Sequence, residues 1–179
     1  MSRIRLFSRI FIDLLDKRKM PTVKFDKSLV TADVKADLLA TIKTLNEIPA
    51  EHVKAVYRIA LSSIERGRDL YTFQTGMERL RLNHLDKRDI SEIGLFLNNR
   101  ATTLIDRNKC KEIGFKRARW VYSGAPCTGS SFQDELHRTL NGTEFTIADG
   151  INVRGTAIWP GMERGCKCMS KSMIEGLFE

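Results

Sequence analysis

Along this chain the apolar positions change their period once, near residue 115, and that change divides it into parts. The first segment, MSRIRLFSRIFIDLLDKRK, carries Ile4, Phe7, Phe11, Leu14 and Leu15 at spacings of three and four, with Arg3, Arg5, Arg9, Lys17 and Arg18 around them. The pattern predicts a basic amphipathic helix. Pro21 ends it, and residues 22–30 read as an extended linker anchored by Val23 and Phe25. From Thr31, a suitable N-cap, the positions Val34, Leu38, Leu39, Ile42 and Leu45 predict a helix. Pro49 suits the first turn of the next, which runs to about Arg66 with Val53, Val56, Tyr57, Ala60, Leu61 and Ile64 inward and closes at Gly67. These two read as a helical hairpin.

Asp69 to Leu82 continues helically on a stripe of Leu70, Phe73, Met77 and Leu80, with Gly76 as its weak point. His84 falls in a loop. A long helix follows from Lys87 to Ile113, with Ile90, Ile93, Leu97, Ala101, Leu104 and Ile105 buried, Asn98, Asn99 and Arg100 outward, and Gly114 as its stop. Cys110, near its end, reads as core. Beyond it the period drops to two: Phe115 to Tyr122 is a strand with Trp120 and Tyr122 on one face. Residues 131–140 suit a short helix on Phe132, Leu136 and Leu140, and Asn141-Gly142 is a turn. Thr143–Ile147 with Ala157–Trp159 suit a small sheet, and Lys171–Phe178 an amphipathic tail helix. The fold expected is mainly α with a small α+β C-terminal module. Its parts are a basic N-terminal helix and linker (1–30), a helical body (31–114) and a turn-rich module (115–179).

Composition supports a globular chain, with 42% hydrophobic and 29% charged residues among 179. The net charge of +8 is carried by the ends: residues 1–31 hold eight Lys/Arg against three Asp/Glu, and residues 107–179 eleven against eight. Basic ends fit contact with nucleic acid or an acidic protein surface, and equally a protein of high isoelectric point with no polyanion partner. Arg9 and Asp13 interrupt the N-terminal apolar run, which therefore fits neither a signal peptide nor a membrane span. Docking in a partner's groove or packing on the chain's own body suits it better than lying on a membrane.

Three of the four cysteines, Cys127, Cys166 and Cys168, fall in the module with His137 and two turns, Leu140-Asn141-Gly142 and Pro160-Gly161. Soft thiolates and an imidazole offered from turns match a structural tetrahedral zinc site. The Cys-x-Cys spacing is tighter than usual, and the same residues read equally as small buried thiols. Nothing looks secreted, which disfavours disulfides. A strand-poor module of about fifty residues has little core of its own, so a staple is expected. Cys127, His137 and Asp134 or Glu135 can be drawn as a nucleophile with its base, and Glu144 as the base of a zinc hydrolase. No nucleophile elbow, His-Glu-x-x-His helix or phosphate loop accompanies them, and the reading is not an enzyme.

The order Trp120, a polar turn with Cys127, His137, Leu140-Asn141-Gly142 with Phe145, Pro160-Gly161 and Gly165-Cys166-Lys167-Cys168 resembles the C-terminal module of the phage Mu F-like minor head proteins, the head-morphogenesis family of tailed bacteriophages. It covers about the last third of the chain. Ser123-Gly124-Ala125 stands where that family has Asp-x-Arg, and Cys127 lies farther from His137 than in its usual pattern. The resemblance implies a virion structural protein at the portal vertex, made in the host cytoplasm: a minor head or head-to-tail connector component acting as an adaptor. Its partners would be the portal protein, tail or nozzle proteins and further copies of itself in a ring, with non-specific contact to DNA phosphates. Two alternatives stay open: a zinc-stapled nucleic-acid-binding protein, and a hydrolase or toxin built on the same module.

Overall fold

The computed structural model describes residues 25–174. The expected N-terminal helix therefore lies outside the described residues. At the start of these, the Asp26 carboxylate accepts from Ser28 N at 2.9 Å and holds a 3-10 turn, Lys27–Leu29. That turn seats Phe25, Leu29 and Val30 on the helical body, so the end of the expected linker belongs to the body's core.

Four helices build the body: α1 (Ala32–Lys43), α2 (Val53–Glu65), α3 (Leu70–Leu80) and α4 (Lys87–Ile113). Thr31 is the N-cap of α1 as expected, but its hydroxyl donates to Asp33 instead of capping the helix. Pro49 precedes a 3-10 turn, Ala50–His52, that leads into α2. Gly67 and Arg68 both adopt positive φ, 81° and 69°, which reverses the chain within two residues. Asp69 then caps α3, accepting from Tyr71 N and Thr72 N. Asp86 and Asp89 form a capping box at the start of α4, and Gly114 ends that helix at φ 94°. At 27 residues α4 is the spine of the molecule, about 40 Å long.

Val34, Leu38 and Ile42 of α1 meet Val56, Ala60 and Ile64 of α2, Phe73 and Met77 of α3, and Ile93, Leu97 and Ala101 of α4 in one core. Gly76, expected as a weak point, lets α3 pack close against α2: a Cβ there would stand 2.6 Å from Ile59 Cγ2. The outward assignment of Asn98, Asn99 and Arg100 holds for Asn99 alone. Asn98 is buried against Ser63, whose hydroxyl donates to Asp69 O at 2.8 Å, so the body's one interior amide is satisfied by a polar neighbour. Arg100 is half-buried, paired through two nitrogens with Asp37 at 2.7 Å, and donates to Met162 O at 3.0 Å, tying the body to the module.

In the module β1 (Arg117–Val121) is the central strand, antiparallel to β2 (Glu144–Thr146) on one side and β5 (Met169–Ser172) on the other. A separate hairpin pairs β3 (Ile151–Val153) with β4 (Thr156–Ile158). The two expected strands thus pair with different partners rather than with each other. Arg154-Gly155, both at positive φ, close β4 onto β3 through a two-residue turn, and that local closure wins over the longer-range pairing. The tail helix from Lys171 is also corrected: Lys171 and Ser172 belong to β5, and Met173 N donates to Arg117 O at 3.0 Å. The expected remainder, 175–178, lies outside the described residues. Between β1 and β2 lies α5 (Ser131–Thr139), capped by Ser130. Its inward side chain is His137, fully buried, while Phe132 is 53% exposed. Among the described residues no helix is long and apolar enough to cross a membrane.

Candidate metal centre

Two separate loops and one helix deliver the candidate ligands. Cys127 sits on the turn before α5, held by its own N–H donating to Asp134 Oδ1 at 2.7 Å. That same carboxylate oxygen accepts from Tyr122 OH at 2.7 Å and its partner oxygen from Arg138, fixing the turn against the helix. The neighbouring Thr128 N donates to Gly165 O at 2.9 Å, stitching this turn to the one that carries Cys166 and Cys168. Pro160-Gly161 bends the chain into that second turn, with Gly161 at φ 81°. Gly161 N donates to Cys166 Sγ at 3.2 Å, a bond that favours the thiolate.

The sulfurs converge on one imidazole nitrogen. His137 Nδ1 lies 3.3 Å from Cys127 Sγ, 3.4 Å from Cys166 Sγ and 3.8 Å from Cys168 Sγ, and Cys127 Sγ lies 3.9 Å from Cys168 Sγ. All four ligand atoms fall within 4.8 Å of one another, and all four residues are buried. The other ring nitrogen, Nε2, faces Glu163 Oε2 at 2.8 Å. A carboxylate there fixes the tautomer of the neutral ring: Nε2 carries its proton and Nδ1 is left to offer a lone pair among the sulfurs. Trp120 packs edge-on against the ring at 5.0 Å, so the imidazole has neighbours on every side.

Crowding four such groups perturbs their protonation. A hydrogen bond from Cys168 holds Cys166 well below the usual thiol range, against burial, with help from His137 and the Gly161 N–H. Cys168 is correspondingly pushed up, by the Cys166 thiolate beside it and by burial. Burial disfavours the charged His137 ring, but Cys166, Glu163 and Cys127 together outweigh it and raise the ring to about 10. Glu163 is held below the usual carboxylate range by His137. Without a cation the cluster therefore shares protons between sulfur and imidazole. A dication in their midst replaces those protons with one charge that satisfies all four donors. The residues are close enough to hold a metal ion, and their softness suits a thiophilic one.

All four residues singled out in the sequence meet here, including His137 despite its distance from Cys127. The remaining candidates do not. Cys110 lies apart, with Sγ 3.1 Å from Ser172 Oγ. Asp134 braces the Cys127 turn and makes no bond to His137. Glu135 is exposed, and Glu144 pairs with Arg117 and Arg119 on the sheet. His84 bonds Glu47 O in the body. Sequence reasoning missed Glu163, three residues before Cys166; a carboxylate inside a turn that also carries a ligand cysteine was the only signal for it. Compared with protein-family models, curated proteins and solved structures, the chain matches none of them.

Proposed function

We propose that Cys127, His137, Cys166 and Cys168 hold one zinc ion that staples the module, and that the chain is an assembly component of a bacteriophage head. In this reading it is a minor head or head-to-tail connector protein that binds the portal vertex. The observation that carries the reading is the convergence of the residues on which the resemblance rests. A tetrahedral zinc with three sulfurs and one nitrogen needs sulfurs about 3.8 Å apart and sulfur–nitrogen edges of about 3.6 Å. The distances of 3.3, 3.4, 3.8 and 3.9 Å match that figure closely. The Glu163–His137 contact supplies the outer-shell carboxylate that orients a zinc-bound imidazole.

Four protein ligands fill a tetrahedron and leave no position for water or substrate, which favours a structural role over a hydrolytic one. The module is then a rigid knob on a helical body, suited to docking rather than turnover. The test uses the zinc-loaded chain and the portal protein encoded in the same genome. Co-sedimentation of the chain with portal rings, lost on stripping the metal, is the expected result. A folded, zinc-loaded chain that ignores portal rings but binds DNA with steep salt dependence overturns the assembly reading in favour of a nucleic-acid-binding one.

A further inference from the structure

A cleft of about 500 Å³ opens between α4 and the module, within the volume range of small-ligand pockets. It adjoins the metal centre, since Cys166 and Cys168 are part of its lining. Ala118, Phe145 and Ile147, all buried, give it an apolar wall. Three cations from different parts of the chain line it too: Arg68 from the turn before α3, Arg107 from α4 and Lys167 from the turn that carries the two cysteines. One carboxylate, Asp106, accompanies them. Among the described residues none of these four charged side chains forms an ion pair.

Arg107 makes the strongest demand. Its guanidinium stacks on the Trp159 ring at 3.8 Å. Among the described residues it makes one hydrogen bond, from Nη2 to Ala148 O at 3.4 Å, and its Nε is buried without a partner. Asp33 and Asp37 act on it only through space, being engaged with Asn108 and Arg100. Burial pulls the group below the usual guanidinium range. A half-buried charge without a counter-ion costs free energy, and an anion entering the cleft offsets that cost. Two guanidinium groups and an ammonium suit the three acceptor oxygens of a phosphate better than the two of a carboxylate. The apolar wall beside them suits a phosphate that carries a ring or a short chain. We propose that this cleft binds a phosphate monoester on an apolar or aromatic body, with Arg107 as its anchor and the exposed Arg68 and Lys167 at its rim. Such a group occurs in a free organic phosphate and at the phosphorylated end of a nucleic-acid strand. The inference does not rest on the assembly reading.

Phenyl phosphate is the probe, titrated by calorimetry into the full chain purified with zinc. It is expected to bind about tenfold more tightly than inorganic phosphate, because its ring buries apolar area that the bare ion lacks. Cys110 reports the location, being half-buried in the cleft's lining and outside the four candidate ligands. Its alkylation, followed peptide by peptide by mass spectrometry, is expected to slow at saturating phenyl phosphate. Arg107→Gln is expected to weaken binding about tenfold. Arg68→Gln, at an exposed position, is expected to weaken it severalfold, so a folding defect in the first variant does not decide the result. Two otherwise identical oligonucleotides, with and without a terminal phosphate, separate the sources. Displacement of phenyl phosphate by the phosphorylated strand alone assigns the site to strand ends, and displacement by neither assigns it to a free organic phosphate. Equal displacement by both strands overturns the proposal in favour of a contact with backbone phosphates. Absence of binding and of Cys110 protection at roughly millimolar phenyl phosphate, or binding that both variants leave unchanged, overturns it outright.

Discussion

The helical body and the C-terminal module bury their interiors by different means. Sixteen apolar side chains, most of them from the four helices, fill the body's core, and none is a cysteine. The module's core has eight buried members, and three of those are Cys127, Cys166 and Cys168. Strands of three to five residues and a nine-residue helix cannot bury enough surface to offset the entropy of ordering so many turns. The body's core is apolar apart from Thr41 and the Ser63–Asn98 pair, whereas the module gathers three thiols and an imidazole close enough to hold a metal ion at its centre. One chain therefore contains two stabilities that respond to different perturbations.

The strongest way to separate them is to remove a ligand. Cys166→Ala takes away a thiolate and the acceptor of Gly161 N–H together. Since structural zinc contributes about 10–16 kcal/mol of apparent binding energy, loss of metal should unfold the module while leaving the body's helices intact. Metal content and hydrogen exchange in β1, β2 and β5 measure this outcome. The reverse perturbation is Phe73→Ala, which opens a cavity among Leu70, Gly94 and Met77. It should cost the body about 3–5 kcal/mol, read as a lower denaturation midpoint of the helical signal, with metal stoichiometry unchanged.

A smaller effect is expected one step outside the cluster. Glu163→Gln keeps the shape but removes the charge facing His137 Nε2, and should weaken metal affinity about 10–100-fold in a chelator competition. Proton competition sharpens the same point. His137 is raised to about 10 in the metal-free cluster, so its protonated form stabilises that state fully below pH 6.5 and ceases to as pH rises through about 10. Metal binding demands the neutral ring, so apparent affinity should rise with pH over that window. Proton release on binding, seen by calorimetry in buffers of different ionisation enthalpy, checks the sign. The smallest effect belongs to the body: Asp86→Ala removes the capping box of α4 and should cost about 1 kcal/mol.

The two regions also differ in how much of them could be read from residues alone. Three- and four-residue spacing, together with Thr31, Pro49, Gly67 and Gly114, marks the body's helices nearly to their ends, because local periodicity and local end signals decide them. Asn98 escaped, since its burial depends on Ser63 thirty-five positions away. In the module the strand around Trp120 and the helix before Leu140 were legible, but their partners were not. Which strand pairs with β1 is a long-range choice, and β5 satisfies its backbone on that edge where an amphipathic pattern alone suggested a helix. The cluster's members were legible because thiols and an imidazole offered from turns suit a soft metal, but the same residues also read as small buried thiols, and only the fold shows that they converge. His137 shows the limit of spacing arguments, for α5 places it at the cluster whatever its distance from Cys127 along the chain.

Both tryptophans, Trp120 and Trp159, lie in the module, while most helical residues lie in the body. Indole emission and far-UV ellipticity therefore report on the two regions separately. A chelator titration of the zinc-loaded chain, followed by both signals at once, tests the metal staple most directly. The account predicts one zinc per chain, with indole emission shifting to the wavelength of exposed tryptophan as the metal leaves while most of the ellipticity remains. A chain that carries no metal after purification from zinc-supplemented cells, or whose tryptophans keep their buried emission once it is stripped, contradicts it.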